Sequence, residues 1–310
     1  VCYSNAETGC DGPMKKTTLV IVPRERFTLA ARSLRSVIEH LQGTEAVVYV
    51  DAGSPKKIAD ELRSICQAHD FTYIRRESYL SPNQARNVGL SHASTPYVVF
   101  MDNDIIVSPG WLAALESCAD ETGAEIVAPL TCQKEPLHSE VHQAGGQIFD
   151  NFEAFLSGLK DETHLTDLHL LQGKPAREAG SDRRPVECCE FHCVLVRRDV
   201  FDRLGPLDEQ LLSTKEHIDF SLAVWTTGGQ VMLEPKSIVT YLFPDRSNPL
   251  QPGDWPYFLL RWSPEWQQQS LDHFKAKWDL VKDPYFEKRR NILVCPRKSG
   301  PLFELVPASD

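Results

Sequence analysis

The sequence lacks a long hydrophobic run and lacks an excess of positive charge. No uninterrupted apolar segment among its 310 residues approaches the ~20 residues needed to span a bilayer, so no transmembrane segment is predicted. The opening stretch VCYSNAETGCDGP contains neither the charged nor the apolar region of a signal peptide. We therefore expect a cytoplasmic protein, with peripheral membrane attachment as an alternative. The formal net charge of -10 argues against a nucleic-acid partner, because nucleic-acid binding depends on clustered Lys and Arg.

The sequence also lacks motifs that define other protein classes. No G-x-G-x-x-G follows the first predicted strand, which disfavours a Rossmann oxidoreductase, and no phosphate-binding loop with a Walker lysine is present. The odd number of cysteines, nine, fits a reducing compartment, and several lie in apolar segments as core thiols do: Cys66, Cys118, Cys132 and Cys295. A further group has no paired C-x-x-C partner, so zinc is not expected there: Cys188, Cys189, His192 and Cys193.

From Thr17 to about Leu130, short β-rich runs alternate with helical patterns. The predicted strands are TTLVIVP, AVVYVD, TYIR, YVVFMD and EIVAPL. Helices are predicted between them, including one over residues 82–93 that opens with the capping box SPNQ and one through WLAALESCA. Continuously apolar strands separated by helices indicate an α/β fold with a mostly parallel sheet covered on both faces.

The rest of the chain has a weaker pattern before order returns. Residues 131–185 are rich in loops, and neither DETHLTD nor QGKPAREAGSDRRP shows a regular period. A helix is then predicted from about Thr214 to Thr227, followed by two separate strands, QVMLEP and SIVTYLF. A Pro-rich stretch leads into an amphipathic helix, WQQQSLDHFKAKWDLV, in a helical C-terminal tail.

Acidic residues mark the ends of two predicted strands. Asp51 ends one strand, and Asp102 ends another, with Asp104 two residues further on. Ligands of parallel sheets bind beyond the carboxyl ends of the strands, so Asp51 and Asp102 should face one crevice. Buried carboxylates need a positive partner. Asp102 and Asp104 could share a hard divalent cation that holds a diphosphate. The alternative is a solvated turn whose acids cap the next helix.

These motifs, taken in order, resemble the family 2 glycosyltransferases of the GT-A fold. The resemblance rests on TTLVIVPRERF, AVVYVDAGSP, SPNQARNVGLSHASTPYVVFMDNDIIVSPGWL and CVLVRRDVFDRLGPLDEQLLSTKEHIDFSLAVWTTGGQVMLEP, and it runs from about residue 17 to 243. It implies transfer of a sugar from a UDP- or GDP-sugar, with Mn²⁺ or Mg²⁺, to a hydroxyl on a glycan, lipid or small molecule. Inversion is the stereochemical outcome that the resemblance implies.

The resemblance also implies a division of the chain and roles for individual residues. Residues 14–130 would bind the nucleotide sugar, 131–245 would bind the acceptor, and 246–310 would form the tail, with 1–13 a disordered extension. The family pattern places several positions at the nucleotide sugar: Pro23, Arg24, Asp51, Arg86, Asn87, Asp102 and Asn103. Asp102 and Asp104 would be the D-x-D acids of the metal site. Arg24 and its neighbour Arg26 could meet the nucleotide or lie in solvent.

The expected general base is where this sequence departs from the family pattern. Family members usually carry an aspartate where this chain has His217, flanked by Glu216 and Asp219 in STKEHIDF. His217 could be the base or a metal ligand, and Glu216 or Asp219 could be the base instead. Glu216 could also do no more than complete a capping box with Ser213. Because retaining enzymes need no such base, the substitution leaves the stereochemical outcome open.

Two other functions compete with sugar transfer. A nucleotidyltransferase also uses a metal between acids, but it usually has a glycine-rich, lysine-bearing loop where this chain has PRERF. A non-catalytic GT-A domain would bind sugar or nucleotide after losing its base. VHQAGGQIFD resembles an acceptor-side segment of rhamnosyltransferase-like members, so His142 is either an acceptor contact or a structural histidine.

Overall fold

The computed structural model describes residues 15–43, 45–159, 163–246 and 248–294, with only the backbone of 291–294. The predicted extension at 1–13, Cys295 and the end of the predicted tail lie outside the described residues. Within the described part, the strands are β1 (Thr17–Val22), β2 (Glu45–Ala52), β3 (Thr72–Arg76), β4 (Tyr97–Asp102), β5 (Ile105–Val107), β6 (Ile126–Gln133), β7 (Glu140–Gln143), β8 (Gly146–Phe149), β9 (Leu165–His169), β10 (Arg184–Pro185), β11 (Cys193–Arg197) and β12 (Val231–Tyr241).

Helices cover this sheet and form the C-terminal segment. They are α1 (Ala30–Glu39), α2 (Lys56–Ala68), α3 (Pro82–Leu90), α4 (Trp111–Thr122), α5 (Phe152–Leu156), α6 (Asp199–Leu204), α7 (Glu216–Thr226), α8 (Trp255–Arg261), α9 (Pro264–Lys277) and α10 (Pro284–Val294), with 3-10 turns at Phe27–Leu29 and Ala176–Ala179. The predicted tail helix is confirmed as α9. In the part of the chain that the structure describes, no helix combines the length and the apolar character needed to cross a membrane.

The main sheet joins the two halves of the chain. Its order is β10-β12-β6-β11-β4-β1-β2-β3, with β5 added to β12 and β7 added to β6. The predicted α/β fold is confirmed, and β1 is parallel to both β2 and β4. The sheet is less uniformly parallel than the sequence suggests, because β11 runs antiparallel to both β4 and β6. Strands buried on both faces have the same apolar composition in either direction, so composition could not reveal this reversal.

The two faces of the sheet bury separate cores. Along β1, Leu19 and Ile21 pack in one apolar cluster, and Val20 and Val22 pack in the other. Because successive side chains of a strand point to opposite faces, a strand covered on both sides must be apolar throughout. A third cluster joins α7 to α9, with Ile218 and Leu222 packed against the C-terminal helices.

The second half of the chain is more regular than predicted. The runs QVMLEP and SIVTYLF form one strand, β12, with an irregularity between Glu234 and Ile238. Pro235 explains the misleading pattern, since proline has no N–H for the ladder and sits within strands mainly at such irregularities. The loop-rich stretch 131–185 contains β7 to β10 and a 3-10 turn. These strands are short, with at most five residues, too short for the period to be recognised.

Helix α3 lies unusually close to the sheet. The predicted capping box is confirmed, since the Ser81 side chain accepts from the Gln84 amide while the Gln84 side chain accepts from the Ser81 amide. Gly89, the residue before the last of α3, has no room for a side chain, because a Cβ there would stand 2.1 Å from Cγ1 of Val20. The absence of a side chain at Gly89 therefore lets α3 rest directly on β1.

Candidate active site

The acids predicted to share a crevice lie at one edge of the sheet. Asp102 ends β4 and is level with Val22, the last residue of β1, while Asp51 lies near the end of β2 on the other side of β1. Asp51 is 1% exposed and accepts hydrogen bonds from Ser54, from the Tyr73 hydroxyl (2.6 Å) and from the Arg75 guanidinium (2.8 Å). Asp51 thus closes the turn that follows β2, and its contact with a nucleotide stays a prediction.

Asp102 obtains its positive partners from the protein itself. Arg86 donates to one carboxylate oxygen (3.1 Å), and Arg24 (3.3 Å) and His192 (3.1 Å) approach the other. Burial alone would raise the pKa of Asp102, but Arg24, His192 and Arg86 outweigh it and hold that pKa well below its usual value. Arg86 also lies over the ring of Phe191, 4.4 Å from its centroid. Asp102 is therefore ionised and fixed without a metal ion.

Asp104 has the opposite environment. It is fully buried, and neither of its carboxylate oxygens has a hydrogen-bond partner among the described residues. Burial, followed by the nearby charges of Asp102 and Glu25, raises its pKa to about 7. A buried carboxylate without a partner is costly, so these two oxygens fit the coordination of a hard divalent cation.

Three residues of the loop after β1 have different environments in the structure. Pro23 is buried and leads into Arg24, whose backbone amide donates to the Asn103 side chain (3.1 Å). Asn103 therefore fixes this loop, and its contact with the nucleotide sugar stays a prediction. Arg26 does not lie in solvent, because it is buried and its guanidinium donates to the backbone carbonyls of Asn248 (2.9 Å) and Pro249 (2.8 Å).

Glu216 and His217 begin α7 and carry unpartnered atoms into the protein interior. Glu216 is 3% exposed; one of its oxygens accepts from Arg261 (3.2 Å), and the other has no partner in the described residues. Burial would raise the pKa of Glu216, but Arg261 and Arg86 outweigh it and lower that pKa. The Nε2 atom of His217 is buried without a partner, and burial lowers the pKa of this histidine.

Asp219 is directed elsewhere, and the predicted capping box of α7 is not formed. Asp219 accepts from the Lys277 ammonium and from the Trp278 indole, both at 2.8 Å, so it ties α7 to the end of α9. Its proposed catalytic role has no support in this placement. Lys215 occupies the N-cap with a left-handed backbone (φ 72°), and its side chain pairs with Asp167 instead of capping the helix. Glu216 therefore does not form the predicted capping box with Ser213.

Several residues of this site carried no motif that predicts them. Glu25 follows Arg24 and accepts from the Tyr241 hydroxyl (3.1 Å), and Arg261 approaches Glu25 (3.9 Å) as well as Glu216. Arg261 is fully buried, and a lone arginine in the apolar run WPYFLLRW was its only signal. His192 lies beside Asp102, whereas the cysteines around it point away: Cys188, Cys189 and Cys193 belong to three different apolar clusters.

Residues 248–261, which we call the cover segment, lie over this edge of the sheet. Asp254 accepts from the backbone and hydroxyl of Thr28 (2.9 and 2.8 Å), and the Tyr257 hydroxyl donates to the carbonyl of Leu80 (2.7 Å). Together with the contacts of Arg26, these bonds close the crevice. As a result the charged side chains beneath it, including Arg24 at 8%, are almost completely buried.

The chemistry available at this edge is that of an anion site next to a cation site. Buried guanidinium N–H groups of Arg24, Arg86 and Arg261 have no hydrogen-bond partner among the described residues. They can donate to phosphate oxygens, for which the planar guanidinium is well suited. The unpartnered carboxylate of Asp104 can hold a metal ion. This combination at the edge of an α/β sheet suits a ligand that carries phosphate groups and a metal ion.

Comparison of the sequence with family models identifies the family of this chain. The family model described as "Glycosyl transferase family 2" matches residues 18–205, more than half of the chain, and the chain belongs to this family. The fold agrees with a solved structure, "Crystal structure of GalNAc-T7 with UDP, GalNAc and Mn2+", at a TM-score of 0.58 and 15% identity, over 92% of this chain and 58% of that one. The predicted family and fold class are thereby confirmed.

Curated relatives include both animal and bacterial glycosyltransferases. Putative polypeptide N-acetylgalactosaminyltransferase 9 of Drosophila melanogaster is 24% identical over 91% of this chain and 45% of its own length. Polypeptide N-acetylgalactosaminyltransferase 11 of Xenopus tropicalis is 23% identical over 88% and 46%. Pre-mycofactocin glycosyltransferase of Mycobacterium tuberculosis is 30% identical over 38% and 24%. The chain thus spans less than half of the length of these relatives.

Proposed function

We propose that this chain is a metal-dependent glycosyltransferase that moves a sugar from a nucleotide diphosphate sugar to an acceptor hydroxyl. The observation that carries the proposal is Asp104, a buried carboxylate with two unpartnered oxygens at the carboxyl edge of a family 2 domain. The family membership also removes the reason to prefer a nucleotidyltransferase. A UDP-sugar is the favoured donor and Mn²⁺ the favoured ion, because the similar fold of GalNAc-T7 was solved with UDP, GalNAc and Mn²⁺.

The basic residues of the site would bind the diphosphate, and an acidic residue would bind the metal ion. Arg24 and Arg86 have N–H groups to donate to the diphosphate, and Asp102 fixes both guanidinium groups in place. Asp104 would hold the metal ion, with the unpartnered Nε2 of His217 as a second candidate ligand. When bound, a divalent cation would stabilise the negative charge that develops on the departing diphosphate.

Glu216 is the residue we assign as general base. Arg261 holds one of its oxygens at 3.2 Å, and the other is left free to accept a proton from the acceptor hydroxyl. This assignment favours inversion, since attack by an activated hydroxyl displaces the diphosphate in one step. His217 then does not need to replace the aspartate that the family pattern places at its position.

The decisive experiment measures release of free nucleoside diphosphate from UDP-sugars in the presence of Mn²⁺. Asp104→Asn should reduce release to background while the circular-dichroism spectrum and cooperative unfolding are preserved, because the change keeps the shape of the side chain and removes its charge. Asp202→Asn is the matched control, since Asp202 lies on the surface in an exposed pair with Arg198. Full turnover by Asp104→Asn would refute the proposal, and sugar-nucleotide binding without release by the unmodified chain would identify a non-catalytic binding protein.

A further inference from the structure

A cluster of two histidines and a glutamate lies beside the site described above. His142 on β7, His169 on β9 and Glu190 just before β11 place one ligand atom each within 4.8 Å of one another, and in the part of the chain described by the structure they are the group of three that does so. Nε2 of His142 is 3.0 Å from one oxygen of Glu190, and Nε2 of His169 is 3.4 Å from the other. We call these three residues the histidine triad. The sequence-predicted ligands Asp102, Asp104 and His217 do not form such a group.

Hydrogen bonds fix the orientation of His142. The amide nitrogen of Gln133 donates to Glu140 (2.6 Å), so the amide oxygen of Gln133 faces Nδ1 of His142 at 3.0 Å. Nδ1 must then carry the ring hydrogen, because the amide oxygen can only accept. Nε2, the other ring nitrogen of His142, faces an oxygen of Glu190 at 3.0 Å, and a ring proton or a metal ion can bridge this pair.

The backbone brings the triad together rigidly. Gly145 has φ +80°, and a Cβ there would stand 2.3 Å from Val186; a Cβ at Gly146 would stand 2.6 Å from the sulfur of Cys188. These close approaches hold the turn after His142 against the segment that leads to Glu190. The backbone amide of Glu190 also donates to the side chain of Gln143 (2.7 Å). The two adjacent glycines of VHQAGGQIFD are therefore needed to form the cluster.

We propose that His142, His169 and Glu190 form a binding site for a divalent transition-metal ion, with Zn²⁺ as the best match. Two imidazoles and one carboxylate are a ligand set that zinc accepts, and the hydrogen bond from Nδ1 of His142 to Gln133 is the outer contact that metal-bound histidines usually make. The side chains of His169 and Glu190 are 18% and 13% exposed, so one side of the site is open to water or a ligand. Three protein ligands with an open position are typical of catalytic rather than structural zinc.

The site is connected to Asp102 through one residue. His192 contacts Asp102 by Nδ1 (3.1 Å), and its Nε2 lies 2.6 Å from Glu190 without the geometry of a hydrogen bond. A cation held by Glu190 would change the electrostatic potential at His192 and thereby the interaction between His192 and Asp102. The proposal does not rest on sugar transfer, because metal binding to the triad can be measured without any substrate.

The test measures Zn²⁺ binding to the full chain after removal of metal with a chelator. The bound metal is counted by mass spectrometry after gel filtration, and affinity is measured by competition with a chromogenic chelator. The unmodified chain should bind one Zn²⁺ that His142→Ala/His169→Ala loses, with affinity reduced at least tenfold. His92→Ala/His164→Ala is the matched control, since both of these histidines are exposed, and it should retain the ion. Gln133→Leu should weaken binding about tenfold if Gln133 orients His142.

Asp104→Asn separates this proposal from the proposed function. Retention of the triad zinc in Asp104→Asn, with loss of Mn²⁺-dependent turnover, would support both proposals. If the double histidine variant keeps full Zn²⁺ affinity, the triad is an imidazole–carboxylate ion pair and the metal proposal is overturned, whereas the role of Asp104 is unaffected. Should the double variant fail to fold, Co²⁺ added to the unmodified chain decides: visible absorption bands of a four-coordinate site support the triad, and their absence overturns it.

Discussion

At the scale of single residues, the site depends on how charge is compensated around two neighbouring aspartates. Asp102 lies beside Arg24, Arg86 and His192 and has a lowered pKa, whereas Asp104, two residues on, has no hydrogen-bond partner in the described residues and a raised pKa. The same residue type thus has two functions, set by environment alone. Asp102 organises the arginines, and Asp104 is available to a ligand.

The contribution of Arg86 to the free energy of unfolding can be measured by removing its charge. Arg86→Met should lower the free energy of unfolding by about 3 kcal/mol, the lower end of the range for breaking a buried ion pair, because Arg24 and His192 remain beside Asp102. Urea denaturation measures the change. Arg35→Met, which breaks an exposed pair with Glu61, should cost less than about 1 kcal/mol. Equal effects of the two substitutions would contradict this account of Asp102.

The proposed base predicts a kinetic separation of binding from chemistry. Glu216→Gln keeps the shape of the side chain but cannot take a proton, so turnover should fall by about 10²–10⁴. Affinity for the UDP-sugar, followed by thermal shift in Mn²⁺, should change little, since the free oxygen of Glu216 is reserved for the acceptor. Glu216→Asp should recover part of the rate. A variant with unchanged turnover would transfer the base role to His217.

At the scale of elements, α9 is held to the domain by two aspartates on different elements. Lys277 pairs with Asp208, in the loop before α7, at 2.9 Å and with Asp219, on α7, at 2.8 Å, and His273 adds a contact to Asp208 at 2.8 Å. This junction lies beyond the region matched by the family model. It joins α7 to the C-terminal helices, and its polar contacts complement the third apolar cluster.

The Asp208 junction predicts a specific acid sensitivity. Burial would raise the pKa of Asp208, but His273 and Lys277 outweigh it and lower the pKa to about 2, below the value of about 3.9 expected for the unfolded chain. Its contribution to stability is therefore present above pH 4 and is lost as the pH falls from about 4 to 2. Because Asp208 is partly exposed, solvent screening reduces this contribution.

Asp208→Asn should consequently flatten part of the pH dependence of stability. The urea midpoint of the unmodified chain should fall more steeply between about pH 4 and pH 2 than that of the variant, and the variant should be less stable at pH 7. Asp202→Asn, on the exposed surface of α6, serves as the comparison and should follow the unmodified chain. Parallel pH profiles for Asp208→Asn and the unmodified chain would show that the junction contributes nothing.

Elements could be predicted from the sequence better than the contacts between them. β1, β2, β4 and α3 were predictable because buried strands are continuously apolar and because SPNQ carries its own cap. The single strand β12 was not, since Pro235 interrupts its pattern. At the site, Asp102 and Asp104 were visible as acids in an apolar run. The histidine triad was not, because His142, His169 and Glu190 are far apart in sequence and meet only through the glycine turn.

At the scale of the whole molecule, the closed crevice requires a movement if sugar transfer is the function. The cover segment seals the edge of the sheet through Asp254, Tyr257 and the carbonyls that bind Arg26. The charged groups beneath it are buried, so a UDP-sugar can reach them only when this segment leaves. The segment is also held by the buried ring of Tyr257, whose centroid lies 5.4 Å from that of Phe27 and 5.2 Å from that of Tyr79, so opening must break both polar and aromatic contacts.

A reversible cross-link tests this requirement. A Cβ at Gly253 would stand 3.5 Å from Cγ2 of Thr28, so Thr28→Cys/Gly253→Cys should form a disulfide that fastens the cover segment. The oxidised double variant should lose UDP-sugar turnover, and dithiothreitol should restore it. The single variants control for each substitution and should be insensitive to the reductant. Full turnover in the oxidised form, with the disulfide confirmed by mass spectrometry, would show that the donor enters by another route.

The contact between α3 and β1 makes the electrostatics of the site dependent on a residue without charge. Gly89 permits the helix to sit against Val20. The separation between α3 and β1 determines where Arg86, one turn earlier, reaches Asp102. Any larger residue at 89 would lift the helix off the strand and lengthen the ion pair. The position of the guanidinium in the crevice is thus set by the absence of a methyl group one turn further along the same face of the helix.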